Sequence, residues 1–278
     1  MSDLYNETRY IMKVNNISAN KGLGQNFLVD EIVVNEIVSK SNVSKDDVVI
    51  EIGPGLGTLT KPLLESAGKV ICIELDDKMV DIISDRFRFY NNLEVINGDV
   101  LKVDLKTLLS NELKTYKCAK VVANLPYYIT TPIIMKLLEE RLPISTITVM
   151  IQKEVAERLV ANTGENVAGA ITHAIHYYTE PELLVDVPNT AFIPQPEVNS
   201  SVIKLTLLDN PSVITTDEKL LFKLIKAGYA QRRKTLVNAL SNLNIMNKQE
   251  IEQMLIELGI DTKIRGEKLT LEQYARNN

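Results

Sequence analysis

Short runs of apolar, mostly β-branched residues recur along the first half of the chain, at Val48–Ile52, Val70–Ile73, Leu93–Ile96, Val121–Ala123 and Ile147–Ile151. Between them lie stretches whose apolar positions repeat at helical spacing, among them Thr60–Ser66, Lys78–Phe89 and Thr131–Glu140. Runs without polar alternation predict strands buried on both faces, and their alternation with helices predicts βαβ units around a largely parallel sheet. Two later runs, Leu183–Val187 and Val202–Leu207, extend that sheet. They are expected to pair antiparallel, because hairpin-length connections cannot join parallel neighbours. Beyond Asp209-Asn210-Pro211 the strand signal stops, and Leu220–Tyr229, Thr235–Leu243 and Glu250–Leu258 predict short amphipathic helices, the third stopped by Gly259. The expected organisation is an α/β catalytic domain over 1–209 and a small all-helical domain over 210–278. The first 20 residues show no clear period and are expected to form an arm over the main domain.

Composition narrows the class. The chain has 278 residues, 45% hydrophobic and 24% charged, which fits a globular protein and excludes a disordered chain or a disulfide miniprotein. No stretch approaches 18 uninterrupted apolar residues, and the first seven residues have neither the basic start nor the apolar core of a secretory signal. A cytoplasmic location is expected, with Cys72 and Cys118, 46 positions apart, as free thiols. His173 and His176 are the only histidines, and no Cys-x-x-Cys or nearby carboxylate pair completes a metal shell. No metal is expected. The net charge of −5 hides an asymmetry: residues 211–278 carry 11 Lys/Arg against 8 Asp/Glu, the remainder 20 against 28. A tail opposite in sign to the body hints at a separate task.

The first strand runs into Glu51-Ile52-Gly53-Pro54-Gly55-Leu56-Gly57-Thr58. Glycines there let the backbone turn sharply and approach a ligand. The dinucleotide fingerprint would require glycine at 58, where Thr58 stands. A Gly-x-Gly-x-Gly turn with no pyrophosphate to cradle suits S-adenosylmethionine. Glu74, ending the next strand 21 residues after Gly53, is placed to accept hydrogen bonds from ribose hydroxyls. Asp99, ending the third, is placed to accept from an adenine amine.

The fourth strand runs into Asn124-Leu125-Pro126-Tyr127. The exocyclic amine of adenine is a poor nucleophile because its lone pair is delocalised into the ring. Two acceptors that hold both amine hydrogens draw the nitrogen towards tetrahedral geometry and aim the lone pair at a methyl group. The Asn124 side-chain oxygen is one acceptor; a backbone carbonyl, of residue 125 or of Pro126, is the other. Tyr127 offers a ring to stack on the base. No strong general base is needed, because attack on a sulfonium produces a cationic amine that loses its proton readily.

On these motifs the chain resembles the ribosomal RNA adenine N6,N6-dimethyltransferases, specifically the small-subunit type linked to kasugamycin sensitivity. Leu23-Gly24-Gln25-Asn26-Phe27-Leu28, the glycine turn, Asn124–Tyr127, Gln152–Arg158, Phe192-Ile193-Pro194-Gln195-Pro196 and Gln231-Arg232-Arg233-Lys234-Thr235-Leu236 each match a separate family motif. The resemblance implies a Rossmann-like methyltransferase sheet. Its cofactor site would be lined by Gln25, Asn26, Leu28, Gly53, Gly55, Glu74, Asp99 and Asn124, and a flipped adenine would be sandwiched by Tyr127 and Phe192. It implies dimethylation of two adjacent adenines in 16S ribosomal RNA, with the small-subunit precursor as partner and the chain acting as a monomer. The related macrolide-resistance methylases of large-subunit RNA are an alternative, disfavoured by Leu125, where they more often carry Ile, and by the long C-terminal domain. An assembly factor with secondary catalysis is another. For the RNA backbone, Phe222–Lys234 offers Lys223, Lys226, Arg232, Arg233 and Lys234 with no acid among them.

Overall fold

The computed structural model describes Asp3–Arg276 except Arg232. Its strands are β1 (Phe27–Leu28), β2 (Asp47–Ile52), β3 (Lys69–Glu74), β4 (Leu93–Asn97), β5 (Cys118–Asn124), β6 (Thr146–Gln152), β7 (Thr179–Val187), β8 (Phe192–Ile193) and β9 (Ser200–Leu207). Seven of them form one sheet in the order β4-β3-β2-β5-β6-β9-β7. β2 pairs parallel with both β3 and β5, β3 with β4, and β5 with β6, while β9 runs antiparallel to β6. The apolar runs account for this arrangement, since every residue of β2 is buried, as a central strand covered on both faces requires.

One helix precedes these strands and others connect them. They are α1 (Asp3–Val14), α2 (Glu31–Lys40), α3 (Thr60–Ser66), α4 (Asp77–Arg86), α5 (Leu105–Glu112), α6 (Thr130–Glu139) and α7 (Lys153–Val160). Acidic caps start several: Asp30, Asp76 and Asp104 accept from backbone N–H groups of the first turns of α2, α4 and α5. The strand order turns back between β2 and β5. In an open sheet a crevice forms at such a point, at the carboxyl ends of the strands.

By contacts the chain divides into two compact units. One comprises residues up to Ala156 together with Glu182–Leu207, and the other Glu157–Pro181 together with Leu208 onwards. The expected boundary at 209 marks where the chain last leaves the first unit but misses the earlier excursion. In that excursion α8 (Ala170–Tyr178) is almost wholly buried, and His173 contacts the rings of Tyr229 and Tyr274. A helix so apolar has no solvent face of its own, so it is packed within the helical unit. That unit continues with α9 (Glu218–Ala230), α10 (Leu236–Ser241), α11 (Lys248–Glu257) and α12 (Leu271–Arg276). Gly259, with φ +70°, follows α11 as its sequence position requires.

The N-terminal residues pack on the first unit, but the expectation that they lack a period is corrected, because residues 3–14 form a helix. Leu4, Thr8, Ile11 and Met12 lie at helical spacing; Thr8 is buried, and the other three pack against apolar clusters of the first unit. Thr8 hid the period. Arg86 fastens this helix by pairing with Glu7 and donating to the Leu56 carbonyl. No described helix is long and apolar enough to cross a membrane.

Candidate active site

Register places the site. Glu51 pairs with Cys72 on β3 and with Val122 on β5, so these three share a row and a face of the sheet. Two residues further, on the same face, come Gly53, Glu74 and Asn124, and Glu74 is level with Asn97 on β4. Asp99 follows two residues later. Adjacent strands lie roughly 4.8 Å apart, so the line from Asp99 to Asn124 spans about 14 Å across the strand ends. A cleft of about 1070 Å³, its open mouth included, lies over this row. Gln25, Asn26, Leu28, Gly53, Gly55, Glu74, Asp99, Asn124, Leu125, Pro126 and Tyr127 all line it.

The glycine turn shapes the floor. Gly53, with φ +66°, donates its N–H to the Ile73 carbonyl at 3.0 Å and turns the chain off β2. At Gly57, φ is +84° and a Cβ would stand 2.4 Å from the Phe87 ring, so here glycine is demanded by packing as well as conformation. Glu74 is held by backbone donors, Asp76 N–H at 2.9 Å and Gly55 N–H at 3.3 Å. Burial outweighs those bonds and raises its carboxyl above the ordinary range. Asp99 accepts from Leu101 N–H at 2.9 Å, with Lys102 Nζ 3.8 Å away.

Asn124 donates its amide nitrogen to the Asn26 carbonyl at 3.2 Å. That bond fixes the amide so that the oxygen is the atom left to accept a hydrogen from a ligand. The structure also separates the two backbone carbonyls left open by sequence. The Pro126 carbonyl accepts from Ile129 N–H at 3.2 Å and from Thr130 Oγ1 at 3.1 Å, which commits it to the turn that starts α6. The Leu125 carbonyl is thus the favoured second acceptor. Leu125 is itself fixed by its N–H, which donates to the Met150 carbonyl at 3.1 Å.

Gln25 does more than line the cleft. Its amide donates to Asp76 Oδ2 at 3.0 Å and accepts from Asn20 N–H at 2.9 Å, bracing residues 20–25 to the turn after β3. Asn26 reaches Asn124 through its backbone carbonyl.

Phe192 is corrected. It is 3% exposed, pairs in register with Leu28 and packs among Val187, Ala191 and Val202, and it is not on the cleft wall. Pro194 and Pro196 follow it in the chain, and its ring packs with Leu28 in the same buried apolar cluster. Lys223, Lys226, Arg233 and Lys234 are exposed, the first two on α9 opposite its buried residues Leu221, Leu224 and Ile225. Arg232 lies outside the described residues.

Sequence reasoning passed over Glu51, Leu75, Val100 and Tyr128, all on the wall. Their signal was adjacency to a motif residue. Glu51 is 1% exposed, with Oε2 accepting from Thr60 Oγ1 at 2.6 Å and from Cys72 Sγ at 3.5 Å. Desolvation pushes its carboxyl up to about 7, and the charge of Glu74 adds to the shift. Cys72 and Cys118 are free thiols. His173 lies between the carbonyls of Gly169 and Leu269, and no described cluster of three His, Cys, Asp or Glu residues could hold a metal.

A wall of backbone donors, buried carboxylates and apolar side chains, with no lysine or arginine among its described residues, fits an uncharged nucleoside joined to a cationic group.

A family model described as ribosomal RNA adenine dimethylase matches residues 16–277. Among curated proteins, the ribosomal RNA small subunit methyltransferase A of Geobacillus kaustophilus is 46% identical over 272 residues, covering 96% of this chain and 92% of its own. That of Clostridioides difficile is 44% identical over 271 residues, 98% of this chain and 93% of its own. Among solved structures, a dimethyladenosine transferase from Plasmodium falciparum superposes with a TM-score of 0.75 at 27% identity, covering 90% of this chain and 95% of that one. The 23S rRNA methyltransferase ErmE shares the fold, with a TM-score of 0.69 at 23% identity over 90% of this chain and 97% of that one.

Proposed function

The chain belongs to the ribosomal RNA adenine dimethylase family, and we propose that it dimethylates the N6 amines of two adjacent adenines in small-subunit ribosomal RNA. The observation that carries this reading is the Asn124 amide, whose nitrogen is tied to Asn26 and so leaves its oxygen to accept, in a cleft that Leu125 also lines. Two acceptors, the Asn124 oxygen and the Leu125 carbonyl, suit the two hydrogens of an exocyclic amine. The names of the full-length relatives favour the small subunit over the large.

S-adenosyl-L-methionine, when bound, supplies the electrophilic methyl group on its sulfonium. Glu74 and Asp99 hold the nucleoside by accepting hydrogen bonds, and Gly53 and Gly55 let the backbone approach it. Asn124 and Leu125 orient the amine; Tyr127 supports the base by stacking, an interaction worth about 1–3 kcal/mol. Leu125, Ile129 and Ile133 keep water from the amine's side of the cleft. The amine's lost proton passes to solvent, as an N-alkylated adenine is weakly basic.

Flipping the adenine out of its loop costs a few kcal/mol, which contacts to the RNA backbone must offset. Lys223, Lys226, Arg232, Arg233 and Lys234 are proposed for them. Removing a cation that touches phosphate lowers the salt slope of binding by about 0.7–0.9. The chain works in the cytoplasm as a monomer on the immature small subunit.

The deciding experiment incubates the protein and methyl-labelled S-adenosylmethionine with unmethylated small or large subunits, then maps the modified bases. Label on two neighbouring small-subunit adenines is expected. Label on the large subunit alone would overturn the assignment. Growth restored by an Asn124→Ala protein that methylates nothing would favour an assembly role instead.

A further inference from the structure

The hydroxyl of Tyr127 lies 2.7 Å from Ser200 Oγ, a contact that joins the loop after β5 to the first residue of β9. Ser200 is fully buried at 0% exposure and pairs with Gln152 of β6 in the sheet. Its neighbour Asn199 accepts from Lys153 N–H through its carbonyl and from Asn189 N–H through its side chain, both at 3.0 Å. The oxygen facing Tyr127 therefore belongs to a rigid strand start, not to a loop.

Tyr127 itself stands on a short turn, Tyr127–Ile129, and is one of the residues that line the cleft. Desolvation raises its phenol above the ordinary value, so the hydroxyl stays neutral and keeps its hydrogen. A tyrosine has two side-chain torsions, and a hydrogen bond at the far tip of the ring restrains both. Tyr128, one residue on, is 58% exposed.

We infer that Ser200 is a positioning residue for base capture, holding the Tyr127 ring as a preset face on which the target adenine stacks. The inference rests on the reading that Tyr127 stacks on that base. Ser200 touches neither cofactor nor the reacting atoms; it acts through Tyr127. A ring held beforehand loses less torsional freedom when the base arrives, and that gain appears in the RNA-dependent step and not in cofactor binding.

The test is a double-mutant cycle on the full-length protein with Ser200→Ala, Tyr127→Phe, the double variant, and Ser200→Thr to restore the hydroxyl. Measurements are kcat and KM for unmethylated small subunits, and cofactor affinity by calorimetry. Either hydroxyl removed alone is expected to lower kcat/KM for the RNA about 2- to 10-fold, the range of one neutral hydrogen bond. The double variant should lose no more than either single one, and Ser200→Thr should recover most of the loss. Cofactor affinity should be unchanged in all four. Additive losses, wild-type kinetics for Ser200→Ala, or a parallel fall in cofactor affinity would overturn the inference. Tyr127→Phe leaves the sheet untouched, so wild-type kinetics for that variant alone would overturn the inference however Ser200→Ala folds. A wild-type protein inactive on small subunits would overturn the base-capture reading, and the inference with it.

Discussion

On one side of the cleft, Gly53, Glu74 and Asp99 stand at the ends of three adjacent parallel strands; Gly53 donates to the Ile73 carbonyl, while Asp76 N–H holds Glu74 and Leu101 N–H holds Asp99. On the other side, Asn124 and Tyr127 are held by partners 98 and 73 positions away in the chain. The first side is assembled by strand register, the second by single side-chain bonds between distant segments. A side built from register tolerates loss of one hydrogen bond. A side built from single bonds does not, and it carries the groups that must be aimed most accurately.

The largest expected effect tests the second side. Asn124→Ala should lower turnover about 10²–10³-fold, as loss of one aimed group does, while weakening cofactor binding far less. Single-turnover rates and calorimetry measure the two losses; equal losses would make Asn124 chiefly a cofactor ligand and erase the contrast.

Phe192 sharpens the boundary between wall and core. Phe192→Ala should cost about 3–5 kcal/mol in denaturant unfolding, the usual penalty for an emptied aromatic site. Phe192→Leu, which keeps most of the volume, should cost under about 1.5 kcal/mol and leave turnover nearly unchanged. If the folded Leu variant loses RNA affinity while keeping its stability, the ring reaches the base after all.

The smallest effect belongs to the first side and depends on pH. Glu51 holds its proton up to about 7 in the native state, against 4.5 for the ordinary group. Between those values the native state binds more protons than the unfolded chain, so stability falls as pH rises and the loss is complete above pH 7. At roughly 1.4 kcal/mol per pKa unit the ceiling is about 3 kcal/mol. Glu51→Gln carries no such charge, so its melting temperature should match wild type near pH 5 and exceed it near pH 8. An offset that is the same at both pH values would show that Glu51 does not titrate in this way.

Much of the first side was legible without coordinates. β-branched runs marked β2 to β6, and the glycines and acids at their ends marked the crevice, because both signals lie within a few residues of each other. The Asn124–Tyr127 segment was legible as chemistry but not as geometry. Which carbonyl, Leu125 or Pro126, faces the amine depends on a bond from Thr130 to Pro126 that residue types do not reveal. Phe192 misled because a stiff, proline-flanked loop describes a backbone and not the direction of a ring. The helix at residues 3–14 was missed because Thr8 interrupts its apolar stripe.

Local spacing and side-chain chemistry sufficed for the central strands β2 to β6, for the glycine-and-carboxylate side of the cleft and for the residue types that meet an adenine amine. Only the tertiary structure decided that Glu157–Pro181 joins the helical unit, that Phe192 faces the core, that Gln25 is a brace and that Ser200 meets Tyr127. The physical reason is that a hydrogen bond or a packed ring is specific to a distance and an angle, and residues far apart in the chain acquire those only when the sheet brings them together.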